Sequence, residues 1–162
     1  MKVLDQPLSD VAIMNVFNKG NFPGLNMIGV GMRDEILDKK VKQHINSKKD
    51  NAIVINLDTK DKGGSHWVAV YRHKGERKAY YFDSFGMAPF PEVEFFVRNI
   101  MGAKGGLNTL DIDLQEDKSS LCGYYATAWI LSKYLHMPFR SIFQKDDFRG
   151  NIKKLKYLFS SL

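Results

Sequence analysis

The chain holds one cysteine, Cys122, at the head of its most hydrophobic stretch, residues 121–135 (LCGYYATAWILSKYL), directly after the polar loop EDKSS. The pattern predicts a helix starting at this thiol, with Ser119 or Ser120 as its cap. Backbone N–H groups and the dipole at such an end stabilise an anion. An ordinary thiol titrates near about 8.5, and a helix N-terminus or a nearby imidazolium lowers that to about 3.5–7.5. A lone cysteine is more often a small buried hydrophobe, so its position counts only beside a base. Of four histidines, His44 falls in a lysine-rich segment, His73 at a turn and His136 before Met137-Pro138. His66 is different. It follows Gly63-Gly64-Ser65, precedes Trp67 and opens a β-branched run, which puts it at the rim of a cleft. Asp83 ends the apolar run AYYF. It can cap a turn or orient an imidazole. If 66–72 and 79–85 pair as a hairpin, the start of one strand meets the end of the other, and His66 meets Asp83. Gln115, seven residues before Cys122, can aim its amide at the same space. With the Cys122 N–H it would form an oxyanion hole.

These residues need elements to hold them. Residues 10–19 predict a short helix after Ser9 or Asp10, stopped by Gly20. Residues 21–31 (NFPGLNMIGVG) read as a Gly- and Pro-punctuated connection. Residues 33–47 predict one or two helices with a basic outer side. Strands are predicted at 52–57, 66–72, 79–85 and 109–115, the last from its period-two alternation (TLDIDLQ). Residues 58–64 and 73–78 read as turns. Further helices are predicted at 92–101 and 146–160, the latter with Lys153, Lys154 and Lys156 pointing outward. Helices, then meandering strands, then helices give an α+β class. The expectation is a single domain, 1–162, with a central mixed sheet flanked by helices and the nucleophile at the N-terminus of a buried helix.

Composition sets the outer limits. A chain of 162 residues, 44% hydrophobic and 26% charged, buries about 70% of its unfolded surface and sustains a core without staples. That excludes a fibrous repeat and a disordered tail. No apolar run reaches the ~18 residues of a membrane span, and MKVLDQPLSD lacks the apolar core of a secretory signal. One cysteine excludes an internal disulfide and fits a reducing compartment. One cysteine and four scattered histidines show no metal-ligand spacing. GAKGG (102–106) lacks the Lys-Ser/Thr ending of a phosphate loop. The net charge is +6, with a pI of about 9.3. Basic clusters at Lys39, Lys40, Lys42, Lys48 and Lys49 and at Lys153, Lys154 and Lys156 are candidates for non-specific DNA contact, or are solvated helix faces.

The order His66-Trp67, Asp83, Gln115, Cys122-Gly123 resembles one family. GGSHWVAVYRHK, YYFDSFGMAPF and QEDKSSLCGYYA look like the adenain-like cysteine proteases, the clan of the adenovirus maturation protease and the SUMO-specific proteases. The likeness points in particular to those of large DNA viruses, virophages and Polinton-type elements. LSDVAIMNVF and GVGMRDEIL resemble the front of such chains. The resemblance implies Cys122 as nucleophile, His66 as general base and acid, Asp83 as its orienter and Gln115 as oxyanion donor. It implies that Trp67 and Gly123 line a narrow channel for Gly-Gly or Gly-Xaa sites. Relatives often carry a second cysteine where this chain has Ala126. No spare cysteine remains for a disulfide-tethered activator, whereas DNA or a non-covalent viral peptide stays open as an activator.

The chemistry requires no cofactor. The expected substrates are viral capsid or core precursors. The expected place is the virion interior and the infected-cell virus factory, in cytoplasm or nucleus, not the secreted space. The expected state is a monomer. The absence of a long extension before the first helix favours a maturation protease over a deconjugase of a ubiquitin-like modifier. Other readings are an acyltransferase, for which no coenzyme A site is visible, and a catalytically inactive DNA-associated capsid protein.

Overall fold

The computed structural model describes residues 8–58, 66–110, 112–114 and 121–160. Helix α1 (Asp10–Lys19) is capped by Ser9, whose side chain accepts from Ala12 N–H, and it ends at Gly20. Five strands follow: β1 (Leu25–Met32), β2 (Asp50–Asn56), β3 (Trp67–Arg72), β4 (Lys78–Phe82) and β5 (Gly106–Thr109). They form one sheet in the order β1-β2-β3-β4-β5. The β1–β2 and β4–β5 pairs are parallel, and β2–β3 and β3–β4 are antiparallel. The sheet is therefore mixed, and the 66–72 and 79–85 segments do pair as a hairpin.

Helices cover both faces. In β2 and β3 the side chains alternate between two apolar layers, and nearly all are buried. Ala52, Val54, Ala69 and Tyr71 face a core built with α1, α3 (Cys122–Tyr134), α4 (Phe139–Ile142) and α5 (Phe148–Ser160). Ile53, Ile55, Val68 and Val70 face the second core. It is closed by α2 (Pro91–Phe95) and the π-turn that continues it, Phe96–Ile100. Trp129 of α3 is the keystone of the first layer. It stacks on Phe82 at 5.4 Å and meets Tyr71 edge-on at 6.4 Å.

Several segments depart from the sequence expectation. Residues 25–32, expected as a connection, are strand β1. Gly29 and Gly31 interrupt its side-chain pattern, and pairing along β2, with a bulge between Met27 and Gly29, supplies the order that propensity lacks. Residues 33–47 form no α-helix. Asp38 accepts from Lys40 N–H and splits the segment into 3-10 turns at Glu35–Leu37 and Lys39–His44. The last strand is 106–109 rather than 109–115. Leu110 and Leu114 still donate to the Tyr81 and Ser84 carbonyls, but among the described residues no regular strand continues past Thr109, and Leu110, Ile112 and Leu114 pack on the first core. Helix 92–101 divides into α2 and its π-turn. The final helix begins at Phe148, with the Asp147 carboxylate accepting from Gly150 N–H. The turn at 58–64 lies mostly outside the described residues.

Trp129→Ala should cost about 3–5 kcal/mol of unfolding free energy in urea titrations. A loss under about 1 kcal/mol would show that the layer between α3 and the sheet is not the main core.

Candidate active site

His66 directly precedes β3, and its carbonyl accepts from Leu57 N–H at 2.8 Å, which ties it to the end of β2. Asp83 directly follows β4. The antiparallel register runs Tyr71 with Tyr80, Val70 with Tyr81 and Ala69 with Phe82. Its continuation brings the two residues together. His66 Nε2 and Asp83 Oδ1 are 2.7 Å apart, with the side chains 14% and 1% exposed. The same Asp83 oxygen accepts from Phe85 N–H at 2.9 Å. The Asp83 carbonyl accepts from Gly86 N–H at 2.8 Å and closes the turn. Gly86 is required there: its φ is +71°, and a Cβ would stand 3.1 Å from the Ile112 carbonyl oxygen.

Cys122 is the first residue of α3 and is 6% exposed. Its N–H, at the first helical position, finds no acceptor within the helix. The cap is Leu121, with no side-chain cap bond. The expected caps Ser119 and Ser120 lie outside the described residues. Trp67 N–H points at Cys122 Sγ across 3.5 Å, a donor that strengthens when the sulfur gains charge during attack. Gly123 makes this closeness possible. A Cβ on it would sit 3.1 Å from Leu8 Cβ and 3.3 Å from Trp67 Cδ1.

The imidazole carries the electrostatic consequence. Burial alone pulls the His66 pKa down. Hydrogen bonds to Asp83 and Cys122, and the charges of both, outweigh burial and hold it up at about 9. With Nε2 given to Asp83, Nδ1 is the nitrogen left for the thiol. An imidazole between a carboxylate and a thiol is placed to take the thiol's proton, after which the sulfur can attack a carbonyl carbon and the imidazolium can protonate a leaving nitrogen.

His66, Trp67, Asp83, Cys122 and Gly123 are thus brought together as the sequence implied. Gln115 lies outside the described residues. The basic residues do not converge on the site. Lys39, Lys40, Lys42 and Lys48 are exposed, and Lys49 is half-buried. They flank apolar residues (Ile36, Val41, Ile45) of the second core, whereas α5 packs on the first through Leu155. The two clusters therefore back opposite faces of the sheet. Lys153 and Lys156 are exposed, but Lys154 does not point outward as expected: its ammonium donates to the Ile142 carbonyl and closes α4. Sequence reading missed Phe85. Its signal was an aromatic two residues after the acid, in FDSFG.

A buried thiol at a helix start, an imidazole and a carboxylate on a mixed sheet define a thiol hydrolase. Residues 34–152 match the sequence model of the adenovirus endoprotease family. The chain belongs to that family and is a cysteine protease. No curated protein sequence matches it. Solved structures share the fold. Ulp1, a SUMO protease with its catalytic cysteine oxidised to a sulfonic acid, superposes with a TM-score of 0.63 at 17% identity, over 96% of this chain and 77% of that one. The C-terminal Ulp1 protease domain in complex with Smt3, the yeast ortholog of SUMO, gives 0.59 at 16% identity, over 96% and 76%. The ASFV pS273R protease gives 0.53 at 16% identity, over 80% of this chain and 59% of that one.

Gly123→Ala should leave the helix intact, because alanine is the better helix former, yet slow iodoacetamide alkylation of Cys122 by about tenfold as Trp67 is pushed off the sulfur. Alkylation at the wild-type rate would contradict this packing. The folded His66 pKa, about 9, lies above its ordinary 6.5. Its protonation therefore favours the fold fully below pH 6.5, and that contribution is lost as pH rises through about 9. Unfolding free energies should fall across this window more steeply in wild type than in His66→Ala; parallel profiles would refute the assignment.

Proposed function

We propose that the protein is a viral or mobile-element endopeptidase that matures capsid or core precursors at Gly-Gly or Gly-Xaa sites. The observation that carries the mechanism is the single Asp83–His66–Cys122 chain at the mouth of α3. The Cys122 proton passes to His66. The thiolate attacks the scissile carbonyl, and its oxygen becomes an oxyanion. We assign that charge to the Cys122 N–H and the Gln115 amide. His66 then gives its proton to the leaving amine as the C–N bond breaks, which leaves a thioester on Cys122. His66 next takes a proton from water, the hydroxyl displaces the sulfur, and a carboxylic acid and free thiol result. Asp83 keeps the imidazole oriented throughout.

The glycine preference rests on how tightly Trp67 lies against Gly123: a channel beside an indole favours residues without side chains. The exposed Lys39, Lys40, Lys42 and Lys48 offer one basic surface to a polyanion, and Lys153 and Lys156 another on the opposite side. In this reading packaged DNA, or a non-covalent viral peptide, acts as activator within the virion or virus factory, and DNA contact weakens with salt. A second reading, a deconjugase of a ubiquitin-like modifier, is favoured by the likeness to the Ulp1–Smt3 complex.

The test offers full-length protein three substrates, with and without duplex DNA: peptides with internal Gly-Xaa bonds, a Gly-Gly fluorogenic amide and a folded SUMO precursor. The expected result is cleavage of the internal peptides, reduced about 10⁴- to 10⁶-fold in Cys122→Ala. Cleavage of the folded precursor alone would replace this reading with the deconjugase. No cleavage by wild type under any condition would leave an inactive DNA-associated capsid protein.

A further inference from the structure

Phe85 stands out because the hydrophobic cores do not account for it. It belongs to neither apolar layer, and its ring is only half-buried. Among the described residues its one aromatic neighbour is the His66 imidazole, with centroids 4.8 Å apart and planes tilted by 37°. Its backbone makes a second contact with the same pair. Phe85 N–H donates to Asp83 Oδ1 at 2.9 Å, the oxygen that also meets His66 Nε2 at 2.7 Å. The other oxygen, Oδ2, is buried with no partner among the described residues. Both contacts fall on one atom, so the carboxylate cannot rotate to improve one without losing the other.

The turn that carries Phe85 is held from both sides. Gly86 N–H donates to the Asp83 carbonyl, and Leu114 N–H donates to the Ser84 carbonyl at 2.8 Å. The aromatic ring is therefore delivered to the imidazole by a fixed backbone.

We propose that Phe85 is a positioning residue of the protease: its N–H fixes the Asp83 oxygen, and its ring holds the His66 imidazole in its protonated orientation. This rests on the reading of His66 as the base. A ring face attracts a cation, and the attraction strengthens where water is excluded. The Phe85 ring thus favours imidazolium over imidazole and closes one side of the ring to solvent. Leucine fills similar space without a π face, and tyrosine retains the face. All three residues keep the N–H, so exchanging them isolates the ring.

The experiment follows His66 in the full chain by imidazole proton NMR titration, for wild type, Phe85→Leu and Phe85→Tyr, with thermal melts beside it. Iodoacetamide alkylation of Cys122 at neutral pH is the second readout. The expected result is a wild-type midpoint near about 9. In Phe85→Leu the midpoint falls by about half to one pH unit and alkylation slows about three- to tenfold. Phe85→Tyr restores both. A wild-type midpoint near 9 that Phe85→Leu leaves unchanged overturns the role of Phe85 and spares the base. Equal losses in both variants reduce Phe85 to packing and overturn the proposal as well. A wild-type midpoint at the ordinary 6.5 removes the His66 reading, and the proposal with it.

Discussion

The bond between His66 and Asp83 joins the start of β3 to the end of β4, and the rest of the molecule keeps it short and dry. A carboxylate this deeply buried is costly unless its charge is met. Here it is met by an imidazole and a backbone N–H on a single oxygen. The hairpin register delivers His66 and Asp83 within hydrogen-bonding distance. The two apolar layers on either side of β2 and β3 fix that register, because a slip of one residue would exchange the contents of the two cores.

The nucleophile enters from the other direction. Helix α3 lies across the first face, and Trp129 sets its height against Phe82 and Tyr71. Its first turn brings Cys122 under the Trp67 N–H, and Gly123 removes the side chain that would hold the strand and helix apart. Sulfur, imidazole and carboxylate therefore come from three places in the chain, yet each is fixed by an element end. Such ends are where backbone donors stay unpaired and charge can be stabilised.

The site was more legible in the sequence than the fold. Singly, His66, Asp83 and Cys122 carry weak local signals; their joint order along the chain, and its resemblance to the adenain-like proteases, is what singles them out. β1 was hidden because Gly29 and Gly31 erase the alternation that marks a strand, and its order comes from β2, a partner distant in sequence. The segment 109–115 misled in the opposite way: Leu110, Ile112 and Leu114 repeat with period two because they pack on the first core beyond the end of β5. Lys154 looked like solvated charge. Only the tertiary placement of α4 shows its ammonium serving as a cap, since sequence gives no sign of the Ile142 carbonyl above it.

The thiolate–imidazolium pair is the central claim, and the pH dependence of Cys122 alkylation by neutral iodoacetamide tests it most directly, with wild type and His66→Ala side by side. The account predicts a wild-type reaction that persists well below neutrality and rises again as His66 loses its proton near about 9. His66→Ala should lose the acid-side reaction altogether. A single rise near about 8.5, the same in both proteins, is the behaviour of an ordinary thiol and would contradict the account.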